Sequence, residues 1–564
     1  MVDFDKVLDR IGHFGRYQAL LYLMACFPIL LNGMHFLAVV FVGDTPEHYC
    51  RVPGDLQPQN MERIYGTDTW NNVMNMTIPR EKSDDGNMVY SQCERYTSPG
   101  DNTSKQPCDD GWIYSKDQYE STVVMTWDLV CDRKWMSRLN QAIFMMGVMS
   151  GAVVFGNLAD RFGRRKIFIV CMVGECLSGI VNAFLPNYGA WLFFRFLVGF
   201  TSNGSYVVRA ISHFIIRSAH STVMEIVGAT RRTICGIFVQ MWFAGGIMLL
   251  SLLAYFIRDW QMLQLAMTLP SVIVIGYWWF LPESPRWLLA QGQNEEAAEL
   301  VSKYAEKNGV QLEPGFISES IELHGPKATK SEDQHSHRSY SLLDLVRTPN
   351  LRKRTLNVCF NWFVNSLVYY GLSLNTSNLG GDDYINSFIS GAVELPAYVV
   401  TVILMERIGR QKTLSGSMVV GGIGCFCTVA VPLSRKDLIP VRTTLAMLGK
   451  FGISISFSVI YNYTAELYPT VIRSVAVGVG SMSARVAGII APFAIMIGDL
   501  WSPLPLLIFG VMSLVAGALA LLLPDTMGKP LMQTIEEAEQ LGKKTPENAE
   551  LENGKLDGVP ATLS

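Results

Sequence analysis

"GNLADRFGRRK" (residues 156–166) sets one acid and four bases between two apolar stretches, and "LMERIGRQK" (404–412) echoes it, Asp160 answering Glu406 at an offset of 246. "MEIVGATRRT" (224–233) is answered by "AELYPTVIRS" (465–474), with Glu225 and Glu466 offset by 241. "LPESPRWLL" (281–289) is answered by "LPDTMGKPL" (523–531), with Pro282 and Pro524 offset by 242. Three near-equal offsets describe one unit used twice. The halves, 17–281 and 355–523, are joined by a polar stretch, 282–354. Internal repeats of this kind mark secondary transporters, whose substrate sits near the bilayer midplane between the repeats.

Apolar runs surround these motifs. The 564 residues are 49% hydrophobic and only 17% charged, less charge than a soluble chain of this length carries. Runs long enough to cross a bilayer as helices fall at about 17–42, 138–158, 167–186, 191–226, 233–257, 259–281, 355–375, 384–405, 413–433, 439–466, 472–498 and 502–523. The expected fold is an all-α membrane protein of twelve transmembrane helices in two six-helix repeats. A net charge of -3 offers nothing to nucleic acid. The polar segment 1–16 lacks the apolar core of a signal peptide, so the first span is expected to be retained.

Charge sets the orientation. Arg161, Arg164, Arg165 and Lys166 lie between spans two and three, Arg231 and Arg232 between four and five, and Arg407, Arg410 and Lys412 between eight and nine. Short loops rich in Lys and Arg face the cytosol. Both termini, including the tail 524–564, then face it too. The first loop, 43–137, falls on the outer side. It holds Cys50, Cys93, Cys108 and Cys131 and two glycosylation sequons, at Asn75 and Asn102. Disulfides and glycans belong to that side. Four cysteines allow three pairings, and the sequence does not choose. A third sequon, at Asn375, stands at a span end.

The Asp-Arg-x-Gly-Arg-Arg loop at 160–165 resembles the signature of the major facilitator superfamily. The long Cys-bearing loop, "TWDLVCD" (126–132), "PESPRWLL" (282–289), "YYGLSLNTSNLGG" (369–381), "AELYPTVIRS" and "LPDTMGKPLMQTIEEAE" (523–539) resemble the organic cation, anion and carnitine transporter family of animals. The likeness runs from about residue 1 to 540, and the last 25 residues read as a disordered tail. It implies a plasma-membrane carrier working by alternating access. It also implies a cytosolic latch that joins the halves when the carrier opens outward, made of Asp160, Arg164, Glu225, Arg232, Glu406, Arg410, Glu466 and Arg473. The other reading of these residues is positive-inside anchoring.

Ionisable groups well inside spans are costly and usually functional. Glu175, Arg195, Glu394, Lys450 and Arg485 qualify. Arg195 begins a span and can snorkel; Lys450 lies mid-span, with a stem long enough to reach an interface. Arg485 lies in "SMSARVAGIIAPF" (481–493). Its guanidinium fork matches a carboxylate, either on a substrate or on a buried partner such as Glu394. The resemblance favours the substrate, since anion- and carnitine-type members carry arginine here where cation carriers carry an acid. In "NWFVNSLVYY" (361–370), Trp362, Asn365, Ser366 and Tyr369 share one helix face, with Tyr370 beside it. Aromatic faces attract quaternary ammonium groups. The resemblance places Trp362, Tyr369 and Glu394 among cation-recognising positions. An arginine for a carboxylate and an aromatic–Glu394 face for an ammonium point to a carnitine- or betaine-like zwitterion. A plain organic anion and, within the same family, an organic cation are the alternatives. Asn32, His35, Gln240 and Tyr463 are weaker contacts, each equally a helix–helix hydrogen bond.

The run 191–226 is too long for one span, and "VRAISHFIIRSAHS" (208–221) adds about a dozen residues to what family members carry there. An error in the gene model and an overlong, tilted helix are the two readings. In the central loop, "QNEEAAELVSKYAEKNG" (293–309) is an amphipathic helix, and "KSEDQHSHRSYS" (330–341) a solvated link. No nucleophile elbow, P-loop or metal-ligand spacing occurs, so no enzyme, metal or cofactor is expected. A coupling sodium ion or proton stays open. The expected partners are a small organic ion and the bilayer, with a monomer sufficient. A sugar carrier, which prefers a neutral cavity, and a non-transporting membrane sensor are the rivals.

Overall fold

Backbone N–H and C=O groups in lipid must be bonded within the chain, so apolar runs of this length become helices. The computed structural model describes residues 15–51, 67–82, 88–100, 103–211, 232–310, 342–432, 435–529 and 532–541. Its long helices are α1 (Arg16–Leu37), α2 (Lys134–Phe162), α3 (Arg164–Ala183), α4 (Tyr188–Ile211), α5 (Arg232–Phe256) and α6 (Trp260–Thr268) in the first half. The second half has α7 (Pro349–Leu374), α8 (Asp383–Ile408), α9 (Arg410–Val429), α10 (Ile439–Leu467), α11 (Arg473–Met496) and α12 (Leu504–Ala520). Among the described residues, nine helical segments are long and apolar enough to cross a membrane. α4, α7 and α12 stand where three further spans are expected. α7 is diluted by Asn357, Asn361, Asn365 and Ser366, and α12 has 17 residues. The sixth run is broken near Pro270, and its helix resumes over Ser271–Ile275. Of the run 208–221, residues 212–221 lie outside the described residues, as does "KSEDQHSHRSYS".

The two motif turns are built alike. Gly163 and Gly409 each precede a helix with positive φ, 99° and 88°, a conformation that costs L side chains. A Cβ at Gly163 would stand 2.8 Å from a Glu283 oxygen, and one at Gly409 would stand 2.8 Å from an Asp525 oxygen. Glu283 Oε1 also accepts the backbone N–H groups of Arg164 and Arg165, at 3.1 and 3.2 Å. A carboxylate there suits the positive end of α3. The acids of "PES" and "PDT" therefore occupy matching places.

Between α1 and α2 lies a small folded loop. β1 (His48–Cys50) pairs with β6 (Trp112–Tyr114), β2 (Arg80–Lys82) with β3 (Met88–Tyr90), and β4 (Glu94–Tyr96) with β5 (Lys105–Pro107), all antiparallel. Of the three possible pairings, the disulfides are Cys50–Cys108 and Cys93–Cys131. Asn75, on the helix Asp68–Thr77, is exposed, and its side-chain oxygen accepts from Arg80 and Tyr90. Asn102 lies outside the described residues, and Asn375 is buried.

The halves meet where α5 packs on α8 and α2 on α11. Small residues mark both seams. A Cβ at Gly391 of α8 would stand 3.0–3.2 Å from Met248 and Ile247, and one at Gly488 of α11 would stand 3.3 Å from the Met145 sulfur. The central-loop helix Asn294–Lys307 buries Ala297, Val301, Tyr304 and Ala305, with Tyr304 against Tyr17. The tail helix Ile535–Gln540 docks on α7, where the Glu539 carboxylate accepts the N–H groups of Asn350 and Leu351.

Candidate functional site

A cavity lies between the halves. From the first half it is lined by Ile29, Asn32 and Phe36 of α1, Met145 and Val148 of α2, and Val239, Gln240 and Phe243 of α5. From the second come Ser366, Tyr369 and Tyr370 of α7, Tyr398 of α8, Phe457 and Tyr461 of α10, and Ala484 and Arg485 of α11. Among the described residues that line it, Arg485 is the one with a formal charge. Its Nη1 donates to the Ser481 carbonyl at 2.9 Å and to the Ser481 hydroxyl. One helical turn separates these residues, so α11 itself aims the guanidinium.

Glu394 is not a partner of Arg485 here. Its carboxylate is 3.0 Å from Lys450 Nζ and accepts the hydroxyls of Tyr369 and Tyr398 at 2.7 and 2.8 Å. Lys450 also donates to Ser373. Neither Glu394 nor Lys450 touches water, so Lys450 does not reach an interface. The unpaired alternative is costly: a lone buried charge loses several kcal/mol of hydration. Tyr369 lines the cavity, but Lys450 Nζ lies 3.3 Å from its ring centroid and Phe457 stacks on it at 5.4 Å. The cation–π place assigned to a substrate ammonium on Tyr369 is filled by a lysine of the chain.

Trp362 is buried outside the cavity. Its indole N–H donates to Thr464 at 3.0 Å and its ring lies 4.3 Å from that of Tyr461. Seven residues separate it from Tyr369, which at 1.5 Å each is about 10 Å along α7. The face is shared; the depth is not. Tyr463 is likewise outside, its hydroxyl donating to the Pro524 carbonyl at 2.8 Å. The cavity tyrosine of α10 is Tyr461, two positions earlier and therefore about 200° around the helix. Phe457, Tyr461 and Tyr398 had one legible signal: Phe457 and Tyr461 are four apart on α10, and Tyr398 is four after Glu394.

Asn32 and Gln240 line the cavity, and Asn32 accepts the hydroxyl of Ser202. His35 lies behind it, with Nε2 3.8 Å from Glu175 Oε1. Arg195 does not snorkel. It is buried, donates to Asn140 at 3.1 Å and to the His35 carbonyl at 3.2 Å, and lies over the Phe144 ring.

At the end of the bundle that carries the disulfide-linked loop, contacts cross between the halves. Tyr119 donates to Asp383 at 3.0 Å, Tyr384 to the Gln118 carbonyl at 2.5 Å, and Lys134 Nζ lies 2.7 Å from Asp499. Phe41 stacks on Tyr384. Asp44 is half-buried beside this cluster. Burial pushes its carboxyl up to about 6, against the lowering pull of the Thr45 N–H, Arg138, Ser377 and Tyr119.

At the opposite end, Arg410 pairs with Glu466 at 3.0 Å, and Thr526 donates to Glu466 at 2.6 Å. Arg473 donates to the Tyr468 carbonyl, Arg164 Nη1 to Ser284, and Trp287 to the Asp160 carbonyl. Glu406 is exposed. These contacts stay within one half or its adjoining loop; the latch that the resemblance implies belongs to the carrier open toward the outside. Glu225 and the side chain of Arg232 lie outside the described residues. Also among the described residues, no group of three His, Cys, Asp or Glu side chains could hold a metal ion.

Residues 88–538 match the family described as Sugar (and other) transporter. The "Organic cation transporter protein" of Drosophila melanogaster is 37% identical over 100% of this chain and 99% of its own length. "Solute carrier family 22 member 16" of Xenopus laevis is 36% identical over 95% of this chain and 94% of its own. "Solute carrier family 22 member 6-B" of the same species is 35% identical over 96% and 95%. In fold, the chain is similar to the inward-open xylose transporter XylE from E. coli, with a TM-score of 0.57, 15% identity, and 91% of this chain and 98% of that one covered. The chain is a membrane transporter, and it belongs to the organic cation and anion transporter family of the major facilitator superfamily.

Proposed function

We propose that this chain moves small organic anions across the plasma membrane by alternating access, with the substrate's carboxylate meeting Arg485. One observation carries the reading: the guanidinium of Arg485 lines the cavity between the halves and is the one formal charge among the described residues there, Glu394 being matched by Lys450 outside it. The cavity wall therefore presents net positive charge, and a charge-assisted hydrogen bond in such a site is worth roughly 1.5–3 kcal/mol. Phe36, Phe243, Phe457, Tyr370 and Tyr461 supply apolar and ring surface for the rest of the molecule.

A carnitine- or betaine-like zwitterion is the second reading. Tyr370 and Tyr461 favour it, since their rings line the cavity with Arg485 and could face an ammonium. In both readings the chain has twelve spans and cytosolic termini, with the loop 43–137 outside, where its two disulfides would persist. Contacts across the halves at the loop end, with pairs kept within each half at the other end, support a carrier closed toward the outside.

The test is uptake into cells of radiolabelled tetraethylammonium, carnitine and hippurate, with and without sodium. Accumulation of hippurate above carnitine, and of both above tetraethylammonium, is expected. Preferential uptake of tetraethylammonium would reject carboxylate recognition. Binding without accumulation would favour a sensor.

A further inference from the structure

Taking the chain as the carrier proposed above, we infer that His35 of α1 and Glu175 of α3 together bind one exchangeable proton, through which substrate movement is tied to proton movement. Both side chains are sealed from solvent, and His35 Nε2 stands 3.8 Å from Glu175 Oε1. That is too long for a hydrogen bond, yet close enough for each group to govern the other's charge. Among the described residues, neither ring nitrogen of His35 has a hydrogen-bond partner. A histidine kept only for packing would have its ring nitrogens satisfied.

The local charges frame the chemistry. Arg195 of α4 reaches the same spot, its Nη2 3.2 Å from the His35 carbonyl, and it stays charged. α2 contributes neutral Asn140, which accepts from Arg195. Residues 236–256 of α5 and 260–275 around α6 contain no Asp, Glu, Lys, Arg or His. α3 also carries two thiols without a formal charge, Cys171 and Cys176. Ionised Glu175, neutral His35 and charged Arg195 then sum to zero. Adding one proton gives either a carboxylic acid beside neutral imidazole or a carboxylate beside imidazolium. The proton comes from water and returns to it, and one O–H or N–H bond is made and later broken.

Placement supplies the coupling. Asn32, one turn before His35 on α1, and Phe36, next after it, both line the substrate cavity. A substrate that shifts α1 also changes the distance between His35 and Glu175. The pair is shut off from water in this closed arrangement, so the proton, like the substrate, exchanges only when the halves rearrange.

The test uses full-length protein in liposomes and needs no known substrate for its first part. Difference infrared spectra are taken between about pH 8 and about pH 5. Wild type should show a buried carboxyl or an imidazolium gaining a proton. The bands should vanish in E175Q and H35N and persist in E175D. Spectra that are the same in wild type and E175Q overturn the inference, whether or not any substrate moves. The second part follows radiolabelled carnitine and 4-toluenesulfonate with the membrane voltage clamped. An inward gradient of one pH unit should support about tenfold accumulation for one proton per substrate. In E175Q, uptake with and without the gradient should become equal. Wild-type accumulation that ignores the gradient refutes the coupling. Failure of both probes to enter strikes the transport reading instead, and the infrared result alone then decides the proton site.

Discussion

The ammonium of Lys450 stands 3.0 Å from the carboxylate of Glu394, and two tyrosine hydroxyls complete the acid's hydrogen bonds. Removing one member strands the other. Glu394→Gln should therefore cost about 3–5 kcal/mol of stability, read as a lower Tm of the purified protein. The double variant Glu394→Gln with Lys450→Met should recover most of that loss, because no buried charge is left. A double variant no more stable than the single one would argue against a paired charge.

Arg485 is half-buried at the cavity wall and its Nη1 bonds within its own helix, so its loss should affect uptake more than folding. Arg485→Ala should slow carboxylate uptake by about ten- to a hundredfold, the equivalent of one charge-assisted hydrogen bond. Arg485→Lys should recover only part, since an ammonium lacks the planar fork. Initial rates with radiolabelled hippurate check both. Equal uptake by Arg485→Ala and wild type would remove Arg485 from recognition.

The half-buried carboxyl of Asp44 has its pKa raised from 3.8 to about 6 in the closed arrangement. When the loop end opens and water reaches Asp44, the value should fall back toward the ordinary one. Closed protein then holds a proton that open protein releases between these two values. Lowering the pH through about 6 favours closure; raising it removes that contribution, which is gone above about 6. Asp44→Asn should abolish the dependence and favour closure at neutral pH. A cysteine at Val148, attacked by an impermeant thiosulfonate from the loop side, would report this once rates are normalised to a free thiol. Identical pH profiles with and without Asp44 would exclude it.

Gly163 and Gly409 hold the same positive φ in the two motif turns. Gly163→Ala and Gly409→Ala should each cost about 1–3 kcal/mol from backbone strain alone. Displacement of Glu283 or Asp525 should add to this. Parallel falls in Tm are expected for the two variants; a loss confined to one would break the equivalence of the turns.

Much of this architecture is legible in the chain because its signals are long. Apolar runs announce helices, and spaced echoes such as Asp160 with Glu406 announce the duplication. Single side chains are harder to read, because their roles depend on neighbours far away in sequence. Lys450 and Glu394 are 56 positions apart, and nothing local says that one neutralises the other. Periodicity identified the face shared by Trp362 and Tyr369 but not which turn of it meets the cavity. On α10 a shift of two positions separates Tyr461, in the cavity, from Tyr463, which bonds Pro524. The pairing Cys50–Cys108 and Cys93–Cys131 depends on how three small antiparallel strand pairs pack, which no spacing rule encodes.

Where the halves touch, α8 offers Gly391 to α5 and α11 offers Gly488 to α2. Bulky side chains there would interlock like teeth, and each stroke of the carrier would first have to pull them apart. A bare backbone patch leaves a shallow bearing surface instead, over which one half can tilt without unpacking its own interior. What resists such tilting is then the polar clasp at the loop end, Tyr119 on Asp383 and Lys134 on Asp499, rather than friction at the middle.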